Sequence, residues 1–162
     1  MKPHFFIIMG VSGSGKSAVG QSLASKLGWD FYDADDFHPS FNIEKMASGA
    51  PLTDEDRLPW LDSLHAMISK CLKEKRNGVL ACSALKEKYR QQLLFGNQNI
   101  QLVYLRGSFD LILSRMAARS EHYMKPAMLQ SQFEILEEPK NGLVVDINQS
   151  VEEIVEKIIL LS

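Results

Sequence analysis

The chain has 162 residues, 45% of them hydrophobic and 23% charged, with a formal net charge of −2. That length suffices for a single domain with a sizeable core, expected to span residues 1–162. The near-neutral balance argues against a broad electrostatic footprint for nucleic acid. No apolar run reaches membrane-spanning length. The first apolar run starts a few residues from the N-terminus, so no signal peptide is expected and the expected location is cytoplasmic.

Residues 5–9 form a short apolar run that predicts a buried strand. The glycine-rich stretch 10–17 follows. Residues 17–27 then place Val19, Leu23 and Leu27 at i, i+4 and i+8, one face of a helix that Gly28 would close. Residues 29–33 read as a second strand, 33–39 as a polar loop and 42–48 as a short helix. Thr53 stands three residues before Asp56 in the pattern of a capping box. Pro59 leaves open whether the next helix starts at Asp54 or is rebuilt around Leu58. Trp60, Leu61, Leu64, Ile68 and Leu72 mark its apolar face. After Asn77-Gly78 the run 79–82 is continuously apolar, as in a central parallel strand.

A helix over 86–94, a strand over 100–105 and a helix capped by Ser108 and running to about Arg119 come next. Residues 120–126 are irregular and polar. A helix over 128–136, a strand over 143–146 and a closing helix over 151–161 complete the chain. Strands and helices alternate throughout, which predicts an α/β fold with a parallel sheet. Cys71 and Cys82 read as reduced core residues, since no Cys/His cluster has metal-ligand spacing.

The stretch Gly10-Val11-Ser12-Gly13-Ser14-Gly15-Lys16-Ser17 fits the G-x-x-x-x-G-K-[ST] phosphate loop without a mismatch, and it lies between a strand and a helix, as the motif requires. Its glycines let the backbone close on a polyphosphate, and its N–H groups form an anion nest at a helix N-terminus. Lys16 suits the β- and γ-phosphates, and the Ser17 hydroxyl suits Mg²⁺. ATP and Mg²⁺ are the expected cofactors.

A phosphoryl-transfer enzyme also needs a carboxylate near the acceptor hydroxyl and cations around the transferring group. Asp33 and Asp35 follow the second strand, at the end of the sheet where α/β proteins bind ligands. Asp35 is the candidate base and Asp33 a candidate for orienting metal-bound water. Many P-loop enzymes end the third strand in Asp, but here Cys82-Ser83-Ala84 stands there. The metal is therefore expected to rest on Ser17, phosphates and waters.

Arg115 and Arg119, at i, i+4, precede a segment (about 119–127) placed to act as a short lid carrying an arginine. The same spacing also suits a solvated helix end. Arg57, Lys86, Arg90 and His38 would suit an oxygen-rich anionic acceptor, with Lys86 and Arg90 at i, i+4 on one helical face, though surface exposure is the ordinary fate of such cations.

Longer blocks carry a resemblance. They are the loop itself, Tyr32-Asp-Ala-Asp-Asp-Phe-His-Pro39, Lys45-Met46 and Pro51-Leu-Thr-Asp-Glu-Asp-Arg-Leu-Pro-Trp-Leu61. Leu80-Ala-Cys-Ser-Ala-Leu-Lys86 with Tyr89-Arg90, and Leu129-Gln-Ser-Gln-Phe-Glu-Ile-Leu-Glu137, continue them. In these the chain resembles the gluconokinase family of nucleoside-monophosphate-kinase-like P-loop kinases. The resemblance implies a three-layer P-loop NTPase fold, with a five-stranded parallel sheet in the order 2-3-1-4-5 flanked by helices. It implies transfer of the ATP γ-phosphate to the 6-hydroxyl of D-gluconate, and a homodimer.

Residue by residue, the resemblance puts Gly10, Ser12, Gly13, Ser14, Gly15, Lys16, Ser17 and Arg115 on ATP. It makes Lys16, Asp35 and Arg119 catalytic and gives Mg²⁺ to Ser17. It places Asp35, His38, Arg57, Ser83, Lys86 and Arg90 on the gluconate side. One departure is Glu121-His122-Tyr123, where relatives usually carry Gly-His-Phe in the lid; the missing glycine and added charge bear on lid motion. Shikimate, adenylylsulfate or a nucleotide as acceptor stay open at this stage, as does a nucleotide-binding module without catalysis.

Overall fold

The computed structural model describes residues 3–118 and 126–162. β1 (Phe5–Met9) is buried at each of its five positions, because it is the central strand and both its faces are covered. It pairs in parallel with β3 (Gly78–Ala81) on one side and β4 (Ile100–Arg106) on the other. β2 (Asp30–Asp33) and β5 (Leu143–Asp146) form the edges, giving the order β2-β3-β1-β4-β5. This is the expected parallel sheet in the expected order.

Side chains alternate across the pleat, so β1 feeds two cores. Phe5, Ile7 and Met9 meet Trp60, Leu61, Leu64 and Ile68 of α3 (Asp54–Lys73) and Leu93 of α4 (Glu87–Leu94). Phe6 and Ile8 share a second core with Val19 and Leu23 of α1 (Lys16–Leu27), Ile112 of α5 (Phe109–Ala117), Leu129 of α6 (Pro126–Ile135) and Ile154 of α7 (Val151–Leu161). Each fully buried large side chain contributes about 1.5–3 kcal/mol through removal from water. Helices on both faces of the sheet make the three layers.

Local chemistry sets the boundaries. The Thr53 hydroxyl accepts from Asp56 N while the Asp56 carboxylate accepts from Thr53 N, a complete capping box. α3 therefore starts at Asp54 and runs on through Pro59, which has no N–H to donate. α3 ends at Lys73, because Lys75 turns left-handed at φ 57 and Arg76 N donates back to Cys71 O.

The polar loop expected after β2 instead winds into a 3₁₀ turn, Ala34–Phe37, capped by Asp33. It leads into α2 (Ser40–Ala47). Both cysteines are free and buried. Among the described residues, no helix is long and apolar enough to cross a membrane.

Candidate active site

The phosphate loop joins β1 to α1 at the carboxyl end of the sheet. Gly13 is left-handed at φ 80, and a Cβ there would lie 2.7 Å from Met116 Cγ on α5. Both the conformation and the contact exclude other residues. Gly10 N donates to Ser83 O, which fastens the loop to the end of β3. Ser14 is buried, and its hydroxyl has no hydrogen-bond partner among the described residues. Lys16 Nζ folds back to donate to Val11 O at 3.0 Å. Burial lowers the Lys16 pKa, opposed by the nearby charges of Asp35 and Asp33.

Asp33 organises the opposite side of the loop. Its Oδ2 accepts from Ser17 Oγ at 3.1 Å, and its Oδ1 accepts from Asp35 N at 3.0 Å. One carboxylate thus sets both the Ser17 hydroxyl and the turn that carries Asp35. Partial desolvation, then the charge of Asp33, raises the pKa of the solvent-accessible Asp35 carboxyl, against the pull of His38 and Lys16.

A cleft of about 1090 Å³ opens beside these groups. Ser12, Gly13, Gly15, Lys16, Ser17, Asp33, Asp35, His38, Arg57, Ser83 and Lys86 all line it. His38 stacks on Trp60 at 4.3 Å between ring centroids, and Trp60 Nε1 donates to Ala34 O. Arg57 donates to Leu52 O at 2.8 Å and to the Tyr89 hydroxyl at 3.2 Å. Tyr89 in turn donates to Asp54 Oδ1, which also takes Lys86 Nζ at 3.3 Å. Asp54 gathers Lys88 as well, and these donors hold its carboxyl well below the ordinary range. The result is a braced wall in which Arg57 and Lys86 flank the Tyr89 ring at 5.4 and 5.6 Å.

Not every expected residue arrives. Arg90 is 2% exposed and does not line the cleft; its guanidinium donates to Ala84 O, Glu137 O and Glu87. The pairing with Lys86 on one helical face fails because α4 begins at Glu87 and Lys86 is extended, at φ −106 and ψ 145. Arg115 is likewise absent from the cleft wall and donates to Ile147 O at 2.6 Å, in the loop after β5. Arg119 lies outside the described residues, as do Glu121, His122, Tyr123 and the rest of the expected lid up to residue 125.

Three participants escaped the sequence reading. Gln132 of α6 accepts from Ser12 N at 2.7 Å and donates to Ser12 Oγ at 3.0 Å, which ties α6 to the phosphate loop. Its block, 129–137, carries part of the resemblance, but spacing alone does not reveal a partner 120 residues away. Asn42 bonds His38 and Asp56 O. Asp54, read only as part of a helix start, is the hub of the cation wall.

A family model described as shikimate kinase matches residues 12–160. The thermoresistant gluconokinase of Escherichia coli (strain K12) is 48% identical over 156 residues, covering 94% of this chain and 89% of that protein. A "probable gluconokinase" of Mus musculus is 47% identical over 172 residues, covering 94% of both chains. The crystal structure of a gluconokinase from Sinorhizobium meliloti 1021 superposes with a TM-score of 0.85 at 42% identity, covering 96% of this chain and 89% of that one. With near-half identity along almost its whole length, and a phosphate loop and a wall carrying Arg57 and Lys86 meeting in one cleft, this chain belongs to the gluconokinase family of P-loop kinases.

Proposed function

We propose that the chain transfers the γ-phosphate of ATP to the 6-hydroxyl of D-gluconate, giving 6-phospho-D-gluconate and ADP. The observation that carries this reading is the single cleft lined both by Lys16 and Ser17 of the phosphate loop and by Asp35, His38, Arg57, Ser83 and Lys86. The names of its relatives supply the acceptor.

The chain's own groups divide the work. N–H groups of the loop and Lys16 hold the β- and γ-phosphates, and the cost of burying the Lys16 charge is recovered when the polyanion arrives. The Asp35 carboxylate takes the proton of the acceptor hydroxyl as its oxygen bonds to the γ-phosphorus. The bond from that phosphorus to the bridging oxygen breaks, and ADP leaves. Arg57 and Lys86 hold the acceptor's carboxylate and hydroxyls, and Ser83 and His38 add hydrogen bonds. Fixing both reactants in one geometry supplies much of the rate.

The donor set fits Mg²⁺. Ser17 Oγ and Asp33 Oδ2 are hard oxygens 3.1 Å apart at the end of the loop. Among the described residues no three Asp, Glu, His or Cys side chains cluster as a metal site, and phosphate and water would supply the other ligands. When bound, Mg²⁺ neutralises charge on the β- and γ-phosphates. Ser17 would hold it, with Asp33 orienting a bound water.

ADP release from MgATP, measured with D-gluconate, shikimate, AMP and no acceptor, tests the reading. Release with gluconate alone is expected. Release with shikimate instead would keep the mechanism and move the error to the Arg57–Lys86 wall. Nucleotide binding with no acceptor-dependent release would overturn the catalytic reading. The same reading includes a homodimer, which sedimentation equilibrium of the full chain checks.

A further inference from the structure

Asn42 is 1% exposed and stands on α2, four residues after His38. Its amide nitrogen carries two hydrogens. One goes to Asp56 O at 2.9 Å. A carbonyl can only accept, so this bond fixes which way the amide faces. The second hydrogen is aimed at His38 Nδ1, 3.2 Å away. A ring nitrogen that receives a hydrogen bond carries no proton, so a neutral His38 keeps its proton on Nε2.

The arrangement has a cost that marks its purpose. Asn42 Oδ1 is buried with no partner among the described residues. Turning the amide over would give that oxygen a donor on the Nδ1–H tautomer, but would set it against Asp56 O. Both amide hydrogens are therefore kept in use at the expense of the oxygen. The ring itself is held by its stack on Trp60, at 10° between planes. Its Nε2 has no hydrogen-bond partner among the described residues, and the ring lines the cleft.

We propose that Asn42 is a positioning residue that fixes His38 as the neutral Nε2–H tautomer, so that His38 presents the acceptor with one fixed hydrogen-bond donor. The ligand chemistry this selects is an oxygen lone pair, from a hydroxyl or carboxylate of a polyhydroxy acid. That acceptor identity rests on the function proposed above. The opposite tautomer would put a basic ring nitrogen in the cleft, in competition with Asp35 for the hydroxyl proton.

The charged groups facing the ring are consistent with a neutral imidazole. Burial lowers the His38 pKa, Asp35 raises it and Arg57 lowers it again. Behind Asn42, Lys45 and Asp56 are paired with each other at 2.5 Å.

Long-range ¹⁵N–¹H NMR of the histidine-labelled full chain reads the tautomer directly, without acceptor. The proposal expects His38 protonated on Nε2 alone at neutral pH, with Asn42→Asp moving a proton to Nδ1. A wild-type ring protonated on Nδ1 overturns it. Kinetics supply the second readout: Asn42→Leu, which removes the donor to Nδ1 and frees the tautomer without adding charge, should raise the gluconate KM by up to about tenfold and leave the MgATP KM in place, the size expected for one lost hydrogen bond.

Should the Asn42 variants fail to fold, the half-exposed His38 allows the same test. His38→Gln, which offers an N–H donor near the Nε2 position, should retain more gluconate affinity than His38→Leu, which is uncharged and offers no donor. Equal loss in both, or a matching rise in the MgATP KM, overturns the donor role. A wild-type chain with the Nε2–H tautomer but no gluconate-dependent ADP release overturns the acceptor reading instead.

Discussion

Asp35 has to be ionised to act as a base, and its surroundings resist ionisation. Partial desolvation and the neighbouring Asp33 charge raise its pKa. A base with a raised pKa loses activity at a higher pH than an ordinary carboxylate, because protonation removes its acceptor capacity. The acid limb of kcat/KM for gluconate should therefore lie above the usual carboxylate range near about 4. Asp35→Asn should lower kcat by roughly 10²–10⁴-fold, remove that limb and leave the MgATP KM nearly unchanged. A fall in MgATP affinity of similar size would place Asp35 on the metal side. The place of Asp35 in the cleft was legible in the sequence, because a residue just past a strand end lies where α/β sheets bind ligands. Asn42 was not, since its two bonds exist only once α2, His38 and the start of α3 have met.

Among the elements, the turn between β3 and α4 shows how a boundary shift of one residue changes a role. Helical spacing put Lys86 and Arg90 on one face, yet the helix starts after Lys86. Lys86 then lines the cleft while the Arg90 guanidinium is directed inward, to Ala84 O and Glu137 O. Its work is to hold the β3–α4 turn against the segment after α6. Arg90→Met orphans two carbonyls, so we expect a loss of about 2–4 kcal/mol and a Tm lower by roughly 5–12 °C. The gluconate KM should move little, whereas a guanidinium that held the acceptor would raise it strongly. The second inter-element tie is Gln132 to Ser12. Gln132→Leu keeps the bulk but frees the Ser12 N–H and hydroxyl, and should cut kcat/KM for MgATP by about tenfold. Unchanged kinetics would make the contact a packing detail. No periodicity marks such a pair, because its members lie at opposite ends of the chain.

For the molecule as a whole, the alternation of strands and helices fixes a parallel α/β sheet, but not the order of its strands. The order 2-3-1-4-5 became legible through the resemblance, and it puts β1 and β3 side by side. That adjacency is what brings the phosphate loop at the end of β1 against Ser83 at the end of β3, and so joins two half-sites into one cleft. In the proposed function one half would hold phosphates through Lys16. The other, built by the start of α3 and by Tyr89 and Lys86 around α4, would hold the acceptor through Arg57 and Lys86. Ligands that bind only the folded chain stabilise it by about 2.7 kcal/mol at 100 times their Kd. For a chain of this size that raises Tm by roughly 5–11 °C.

MgADP and gluconate, which cannot react together, should therefore each add their own increment to the wild-type Tm. Lys16→Ala should remove most of the MgADP increment and keep the gluconate one, and Arg57→Ala should do the reverse. Each variant then serves as the folding control for the other, since retention of one increment requires an intact cleft. If either substitution abolished both increments in well-folded protein, the two walls would be a single binding unit, and the division of labour between Lys16 and Arg57 would be wrong.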